Sequence, residues 1–206
     1  MTGLFISVEG IDGVGKSTQI GMLAEFLTEQ GREVVRTLEP GGTELGQEIR
    51  HLLLHRKGDV APRAEALLYA ADRAHHVATK VRPALERGAV VITDRYLDSS
   101  VAYQGAGRAL DAAEVRSISM FAVQNLLPEL TILLDLPAEQ ALARRANTGN
   151  EPDRLEREKV EFFEAVRQAF LAMAAAEPAR WLVIDADQTS EAMQVEIRDR
   201  LAQMLG

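Results

Sequence analysis

Five short apolar runs alternate with long helical patterns along this chain, and no other feature constrains its fold as strongly. The runs predict strands at residues 4–8, 33–38, 89–93, 130–136 and 181–184. Strands that are separated by helices pair in parallel through right-handed crossovers, and the helices then cover both faces of the sheet. The pattern therefore predicts an α/β fold with a five-stranded parallel sheet and helices on both faces.

The segments between these runs carry apolar residues at the three- and four-residue spacing of helices. They predict helices at 17–30, 44–54, 62–87, 111–126, 138–146, 155–176 and 190–205. Gly31 is expected to end the first helix, because glycine readily adopts the left-handed conformation that follows many helices. Pro83 lies near the end of the third helix and is a candidate for a kink.

The composition is that of a single globular domain, which we expect to span residues 1–206. Of the 206 residues, 47% are hydrophobic and 26% are charged, which excludes intrinsic disorder. No apolar run approaches the roughly 18 residues of a membrane span, and the start of the chain lacks the basic region of a signal peptide. The absence of cysteine excludes disulfides and thiolate catalysis, and it fits a cytoplasmic location. The net charge of −8 argues against a basic surface for nucleic acid.

Residues 10–17, GIDGVGKS, fit the pattern G-x-x-x-x-G-K-[ST] between the first predicted strand and the first predicted helix. Glycine permits positive φ angles, so successive backbone N–H groups can turn inward around phosphate oxygens at the start of a helix. Lys16 is expected to reach the β- and γ-phosphates, and the Ser17 hydroxyl to ligate Mg²⁺. The fold is then of the P-loop NTPase type. The expected ATP ligands of this loop are Gly10, Ile11, Asp12, Gly13, Val14, Gly15, Lys16, Ser17 and Thr18.

A second apolar strand ends in a carboxylate, at Asp94. The run resembles a Walker B element, whose aspartate holds Mg²⁺ directly or through water. The alternative is an aspartate that caps a helix after a buried strand. Because the phosphate loop is present, we expect Asp94 to lie beside it and to form the metal site together with Ser17.

A phosphate loop alone fits a GTPase, a motor or a small-molecule kinase, and the guanine-reading tetrapeptide N-K-x-D is absent. Three further segments follow the loop, EPGGT at 39–43, DRY at 94–96 and SSVAYQG at 99–105. With these motifs, the chain resembles the bacterial type of the thymidylate kinase family over essentially its whole length. The resemblance implies MgATP and dTMP as substrates and ADP and dTDP as products. It also implies a homodimer that forms through long apolar helix faces.

The same resemblance implies an acceptor site for dTMP. Arg95 grips the monophosphate, Tyr69 stacks on thymine, and Arg73 meets an exocyclic oxygen of the base. Tyr103 is expected to crowd the sugar 2′ position, which excludes ribonucleotides, and Asp12 to accept a hydrogen bond from the 3′-hydroxyl. The implied dTMP-binding residues are Asp12, Glu39, Arg50, Tyr69, Arg73, Arg95, Ser99, Ser100, Tyr103 and Gln104.

Three further details of the implied acceptor site concern single residues. The amide of Gln104 can pair with a pyrimidine edge directly or through water. Ser100 stands where some relatives have Asn or Thr, so the base contact at that position is left open. The Glu39–Pro40 bond is a candidate for the cis form, because a chain reversal at an active site commonly holds a cis-proline.

Arginines flank a glycine-containing loop late in the chain, with Arg144 and Arg145 before it and Arg154 after it. This arrangement predicts a lid at about 144–155 that closes over the substrates. Members of the family either carry a basic residue in the phosphate loop or supply the charge from the lid. Gly13 occupies that loop position here, so the resemblance assigns the charge to the lid and also places Arg144 against adenine. The implied catalytic residues are Lys16, Arg95, Arg144, Arg145 and Arg154.

Two other functions fit part of this pattern. Another P-loop kinase could act on a deoxynucleoside or on a different nucleoside monophosphate. A neutral hydroxyl acceptor would require a carboxylate base, for which Glu9 and Glu39 are candidates. A regulatory protein would bind ATP without turnover, but the acceptor-site residues argue against this alternative.

Overall fold

Five parallel strands form the sheet of this protein in the computed structural model, in the order β2-β3-β1-β4-β5. The structure describes residues 3–107, 110–147, 154–155 and 158–205. The strands are β1 (Leu4–Glu9), β2 (Val34–Leu38), β3 (Val90–Asp94), β4 (Leu130–Asp135) and β5 (Trp181–Asp185). The predicted α/β fold with helices around a parallel sheet is confirmed.

The described helices connect these strands in chain order. The first four are α1 (Lys16–Glu29), α2 (Glu44–Leu54), α3 (Pro62–His76) and α4 (Arg82–Glu86), with a π-helical turn (Val77–Val81) between α3 and α4. The next is α5 (Leu97–Ser100), which leads into a π-helix (Val101–Gly107). The last four are α6 (Ala112–Val123), α7 (Ala138–Ala146), α8 (Val160–Ala176) and α9 (Ser190–Leu205). None of the helices in the described part of the chain is long and apolar enough to cross a membrane.

Side chains of the central strands alternate between two hydrophobic layers, one on each face of the sheet. Ile6 and Ile92 pack in one layer with Leu23 of α1. Phe5 and Val91 pack in the other layer with the π-helical turn and α6. Both faces are therefore covered, as a parallel sheet requires.

The register of the strands brings their carboxyl ends to one edge. Asp94 of β3 pairs with Val8 of β1 on one side and with Leu38 of β2 on the other. The phosphate loop follows β1 at this edge, and the 39–43 segment follows β2 there. Ligands of open parallel sheets bind at this edge, so the fold places the candidate residues where chemistry is expected.

Most predicted boundaries are confirmed within one or two residues, and the departures have local causes. The helix predicted at 111–126 ends at Val123, because Gln124 and Asn125 adopt left-handed backbone conformations with φ of 49° and 58°. The helix predicted at 155–176 begins only at Val160. The predicted helix at 62–87 changes to π-helical bonding before α4, and Pro83 lies in the first turn of α4, where a missing N–H is tolerated.

A buried ion pair attaches α5 to the start of β5. Asp98 is fully buried, and its two carboxylate oxygens accept hydrogen bonds from Arg180 at 2.7 and 3.1 Å. The same guanidinium donates to the Thr131 hydroxyl at 2.8 Å and lies over the ring of Trp181. Because α5 carries two of the candidate site residues, this pair helps to position the site.

We expect Asp98→Ala to lower the free energy of unfolding by about 3 kcal/mol, because it leaves the largely buried Arg180 without its bidentate partner. The matched control is Glu33→Ala, which breaks a half-exposed pair with Arg87 (2.8 Å) and should cost less than about 1 kcal/mol. Urea denaturation monitored by circular dichroism measures both values. Equal losses in the two variants would contradict the structural role given to the buried pair.

Candidate active site

A cavity of about 120 Å³ opens at the carboxyl edge of the sheet. Its walls come from the ends of β1, β2 and β3, from α2 and α3, and from the segment that follows β3. All ten residues predicted to bind the acceptor line it, together with Pro40, Leu54, Tyr96 and Leu155. The structure therefore brings together in one cavity residues that are spread from position 12 to position 104.

The phosphate loop has the backbone that its glycines predict. The φ angles of Gly10, Gly13 and Gly15 are 135°, 92° and 98°, which residues other than glycine rarely adopt. α1 begins at Lys16, directly after the loop. The Lys16 ammonium donates to the carbonyl oxygens of Gly10 and Ile11, both at 3.1 Å, so it lies within the loop itself.

An ion pair between Arg95 and Asp12 joins the phosphate loop to the cavity. Arg95 Nη2 donates to Asp12 Oδ1 at 2.7 Å and to the Tyr103 hydroxyl at 3.1 Å. Arg95 Nη1 donates to the Gly10 carbonyl oxygen at 2.9 Å and to Ser99 Oγ at 3.2 Å. One guanidinium thus contacts the loop and two acceptor-side residues at the same time.

The charges at this junction fix the protonation of Asp12. Burial alone would raise the pKa of Asp12, but the positive charges of Arg95 and Lys16 outweigh burial and hold the pKa below its usual value. The carboxylate therefore stays ionised at neutral pH and can only accept hydrogen bonds. Burial opposes the charge on Arg95, and the charge of Asp12 more than compensates, so the pKa of Arg95 lies well above its usual value.

Asp94 and Ser17 offer hard oxygen donors of the kind that Mg²⁺ prefers. Asp94 Oδ1 is buried and has no hydrogen-bond partner among the described residues. The register places Asp94 beside Val8, two residues before the phosphate loop begins, and Ser17 is exposed in the first turn of α1. A buried carboxylate oxygen without a partner among the described residues and an exposed hydroxyl fit a metal that also binds phosphate.

The opposite end of the cavity is suited to an aromatic base. Tyr69 packs in an apolar cluster with Leu54 and Leu155, and all three line the cavity. Arg73 is almost completely buried, with Nη2 donating to Ser100 Oγ at 3.0 Å and to the Tyr96 carbonyl oxygen at 3.2 Å. Arg50 lies at the rim, where its Nη1 donates to the Pro40 carbonyl oxygen at 2.8 Å.

Glu39 is held by two partners and leads into a buried network. Its carboxylate oxygens pair with Arg73 Nε at 2.6 Å and with His76 Nδ1 at 2.8 Å. The other ring nitrogen of His76 lies 2.7 Å from the Thr37 hydroxyl. The Glu39–Pro40 bond is cis, as predicted. A carboxylate engaged by an arginine and a histidine is poorly suited to act as a base toward a nucleoside hydroxyl.

Glu9, the other candidate base, is fully buried at the end of β1 and does not appear among the described residues that line the cavity. Its oxygens accept from the Tyr96 backbone N–H at 2.8 Å and from Ser99 Oγ at 2.6 Å. Burial, followed by the charge of Asp98, raises the pKa of Glu9 to about 8. The residue therefore positions the segment after β3.

The predicted lid is described only in part, since residues 148–153 and 156–157 lie outside the described residues. Arg144 donates to the Ala186 carbonyl oxygen and to Asp187 Oδ1, both at 2.7 Å. Arg145 lies on the same helix, beside the phosphate loop. A Cβ atom added to Gly13 would lie 3.2 Å from the Cβ atom of Arg145. Arg154 instead reaches the base end of the cavity, where it pairs with Glu65 and donates to the Leu53 carbonyl oxygen at 2.8 Å.

Sequence reasoning missed two buried polar residues of the site, Glu65 and His76. Both lie on the face of α3 that carries Tyr69 and Arg73, at helical spacing of three or four residues. That spacing is the signal that could have found them. Gln104, which was predicted, donates through Nε2 to Glu65 Oε1 at 3.0 Å.

Comparison with known proteins gives consistent matches over nearly the whole chain. A family model described as thymidylate kinase matches residues 8–197. The thymidylate kinase of Clavibacter sepedonicus is 66% identical, over 97% of this chain and 95% of that protein. The thymidylate kinase of Leifsonia xyli subsp. xyli is 65% identical, over 97% of this chain and 94% of that protein. The crystal structure of thymidylate kinase from Ehrlichia chaffeensis superposes with a TM-score of 0.80 at 30% identity, covering 98% of this chain and 99% of that chain.

The pKa of Glu9 makes the stability of the protein depend on pH. Between the ordinary glutamate value of about 4.3 and about 8, the folded protein retains a proton that the unfolded chain has released. This contribution to stability is complete below about pH 4 and is lost as the pH rises through about 8. We expect Glu9→Gln, which does not titrate, to gain in stability relative to the unsubstituted protein by about 1 kcal/mol per pH unit between pH 5 and 8.

Urea denaturation at pH 5, 6.5 and 8 measures this difference. The matched control is Glu33→Gln at a half-exposed glutamate, for which the difference from the unsubstituted protein should stay nearly constant. A constant difference for Glu9→Gln as well would show that Glu9 titrates normally in the folded protein.

Proposed function

Because this chain belongs to the thymidylate kinase family, we propose as its reaction the transfer of the γ-phosphoryl group of ATP to dTMP, which gives ADP and dTDP. The observation that carries this proposal is the contact of Arg95 with both the phosphate loop and the acceptor cavity. A guanidinium at that junction can bind the monophosphate of the acceptor and face the phosphates of ATP. The phosphate of dTMP can then lie in line with the γ-phosphate of ATP for direct transfer.

The chemical step requires little from the protein beyond position and charge. An oxygen of the dTMP phosphate, already ionised at neutral pH, forms a bond to the γ-phosphorus while the bond from that phosphorus to the β–γ bridging oxygen breaks. No general base is needed. Lys16 and Arg95 stabilise the negative charge that is shared among the phosphates. Mg²⁺, held by Ser17 and Asp94, would neutralise further charge on the β- and γ-phosphates when bound.

The phosphorylated acceptor is favoured over a free deoxynucleoside. A deoxynucleoside hydroxyl needs a base, and Glu39 is occupied by Arg73 and His76 while Glu9 faces Tyr96 and Ser99. Asp12, which stays ionised, is suited to accept a hydrogen bond from the sugar 3′-hydroxyl.

Tyr103 supports a deoxyribose rather than a ribose in this site. Its hydroxyl accepts from Arg95 at 3.1 Å, and its ring packs edge-on against Phe170. These contacts at the hydroxyl and at the ring oppose displacement of Tyr103 by an added 2′-hydroxyl.

We place the protein in the cytoplasm as one domain over 1–206, and both assignments stay predictions.

A coupled assay of ADP release across nucleoside monophosphates tests the proposed function. We expect dTMP to be preferred to dCMP, to purine monophosphates and to ribonucleotides, and thymidine itself to be inactive. Lys16→Ala should lower turnover by about 10²-fold or more, because the ammonium binds the reacting phosphates. The matched control is Lys57→Ala at an exposed lysine. ATP binding without dTMP-dependent ADP release would contradict the proposal and favour a regulatory nucleotide-binding protein.

At least one of the lid arginines Arg144, Arg145 and Arg154 is proposed to stabilise the transferring phosphoryl group. Arg145 is best placed among the three because α7 contacts the phosphate loop at Gly13. A transition-state arginine contributes about 10³-fold or more. We expect Arg145→Ala to lower kcat by about that factor and to leave the KM for dTMP nearly unchanged. Single-turnover kinetics should include Arg144→Ala and Arg154→Ala, with Arg56→Ala as an exposed control. Losses of less than about tenfold in all three would assign the charge to Arg95 and Mg²⁺.

We also propose that the chain forms a homodimer through α3 and α6. Phe121 on α6 and Leu67 on α3 are 86% and 56% exposed, and the two helices pack side by side. Light scattering after size exclusion should give the mass of two chains, and Phe121→Asp should give the mass of one. Val195→Asp, at a 58% exposed valine on α9, is the matched control and should leave the dimer intact. A single-chain mass for the unsubstituted protein would contradict the proposal.

A further inference from the structure

Glu65 is a fully buried carboxylate directly behind the base end of the cavity, and the reaction as described above does not use it. It lies on α3 four residues before Tyr69 and eight before Arg73, so the three share one helix face. Its Oε1 accepts from Gln104 Nε2 at 3.0 Å. Its Oε2 pairs with the guanidinium of Arg154.

This arrangement fixes which way round the Gln104 amide lies. A carboxylate has only acceptor oxygens, whereas an amide has one donor end and one acceptor end. Gln104 must therefore turn its NH₂ group to Glu65, and its carbonyl oxygen is the end that can face the cavity that it lines. A neutral amide partner at position 65 would allow either orientation.

The ion pair with Arg154 makes the carboxylate form of Glu65 tolerable in a buried position. An isolated buried charge is costly, and a guanidinium in direct contact compensates for much of that cost. Arg154 is itself held by its bond from Nε to the Leu53 carbonyl oxygen, and the next residue, Leu155, packs against Tyr69 and Leu54. The segment 154–155 therefore docks on the base end of the cavity.

Two hydrogen-bonding groups of fixed polarity then face a base in this cavity. Arg73 has only donors, and the Gln104 amide presents an acceptor. Thymine and uracil offer the complementary pair, a carbonyl oxygen at C4 and an N–H at N3. Cytosine offers the reverse, an amino group at C4 and a bare acceptor nitrogen at N3, so both of its contacts would be mismatched.

We propose that Glu65, held by Arg154, is a positioning residue that sets the hydrogen-bond polarity of Gln104 and thereby selects pyrimidine acceptors with an N3–H against cytosine. This inference rests on the proposed function, since it concerns the base of the same acceptor. Glu65 acts through Gln104 and touches neither the base nor the reacting atoms. Its effect therefore appears in the discrimination between bases.

The test compares Glu65→Gln with the unsubstituted enzyme. The variant keeps the size of the side chain but can also donate to the Gln104 carbonyl oxygen, which allows the Gln104 NH₂ group to turn toward the base. The measured quantities are the KM and kcat for dTMP and the inhibition constant of dCMP as a competitor of dTMP. We expect the preference for dTMP over dCMP to fall by about tenfold, equivalent to about 1.4 kcal/mol, with kcat changed little.

Two further variants separate positioning from a general loss of structure. Glu33→Gln, at a half-exposed glutamate paired with Arg87, is the matched control and should leave the preference unchanged. Gln104→Leu removes the amide, so it should weaken dTMP binding without strengthening dCMP binding. If Glu65→Gln does not fold, as judged by thermal unfolding, Glu65→Met takes its place, because it removes the acceptor oxygens that orient Gln104.

The outcomes distinguish this inference from the function on which it rests. An unsubstituted enzyme that does not phosphorylate dTMP would contradict the proposed function. An enzyme that phosphorylates dTMP, and whose folded Glu65 variant keeps the original preference, would overturn the inference alone. Equal weakening of dTMP and dCMP in Glu65→Gln would likewise assign Glu65 a purely structural role.

Discussion

The site is organised around the guanidinium of Arg95, because it is the group that contacts the phosphate loop, α5 and the following π-helix together. It binds the Gly10 carbonyl oxygen, Asp12, Ser99 and Tyr103. To reach them, the Arg95 backbone adopts a left-handed conformation with φ of 68°. Such a conformation costs of order 1–3 kcal/mol in a residue with a side chain. The surrounding bonds offset this cost, since the Arg95 N–H donates to the Val8 carbonyl oxygen at 3.0 Å and its own carbonyl accepts from Thr93 Oγ1 at 2.9 Å.

Two of the buried carboxylates near this centre lie in compensated groups. Glu39 lies between Arg73 and His76, and Glu65 is bound by Arg154. An unpaired buried charge would be costly, whereas a paired and hydrogen-bonded charge can be held in one orientation. The acceptor cavity is thus bounded by side chains whose polarity is set before any ligand arrives. This is the preorganisation that favours both discrimination and transition-state stabilisation.

The sequence predicted the fold and the composition of the cavity well, for physical reasons that differ between elements. The apolar runs and the glycines reflect the backbone conformation of their own segments. The strands and the positive φ angles at Gly10, Gly13 and Gly15 were therefore predictable. The cavity residues were predictable because their chemistry at fixed spacing resembles a family. The start of α8 and the π-helix at 101–107 were missed, because they depend on packing between distant segments.

The pairing of individual side chains was least accessible from the sequence. Glu65 and His76 share a helix face with Tyr69 and Arg73, but their partners Gln104 and Glu39 are 39 and 37 residues away. Arg154 was grouped with Arg144 and Arg145 by its place in the chain, yet it contacts the base end of the cavity. Spacing identifies which residues share a helix face, but only the tertiary structure identifies which side chain each of them meets.

The close contact between the phosphate loop and α7 couples position 13 to the helix that leads into the predicted lid. A Cβ atom on Gly13 would lie 2.2 Å from the Ala141 carbonyl oxygen, so any side chain there requires α7 to move. A basic residue at position 13 and an arginine on the adjoining turn of α7 therefore compete for the same volume. The two positions are therefore coupled: a side chain at position 13 displaces the turn of α7 that carries Arg145, so the effect of one substitution depends on the residue at the other position.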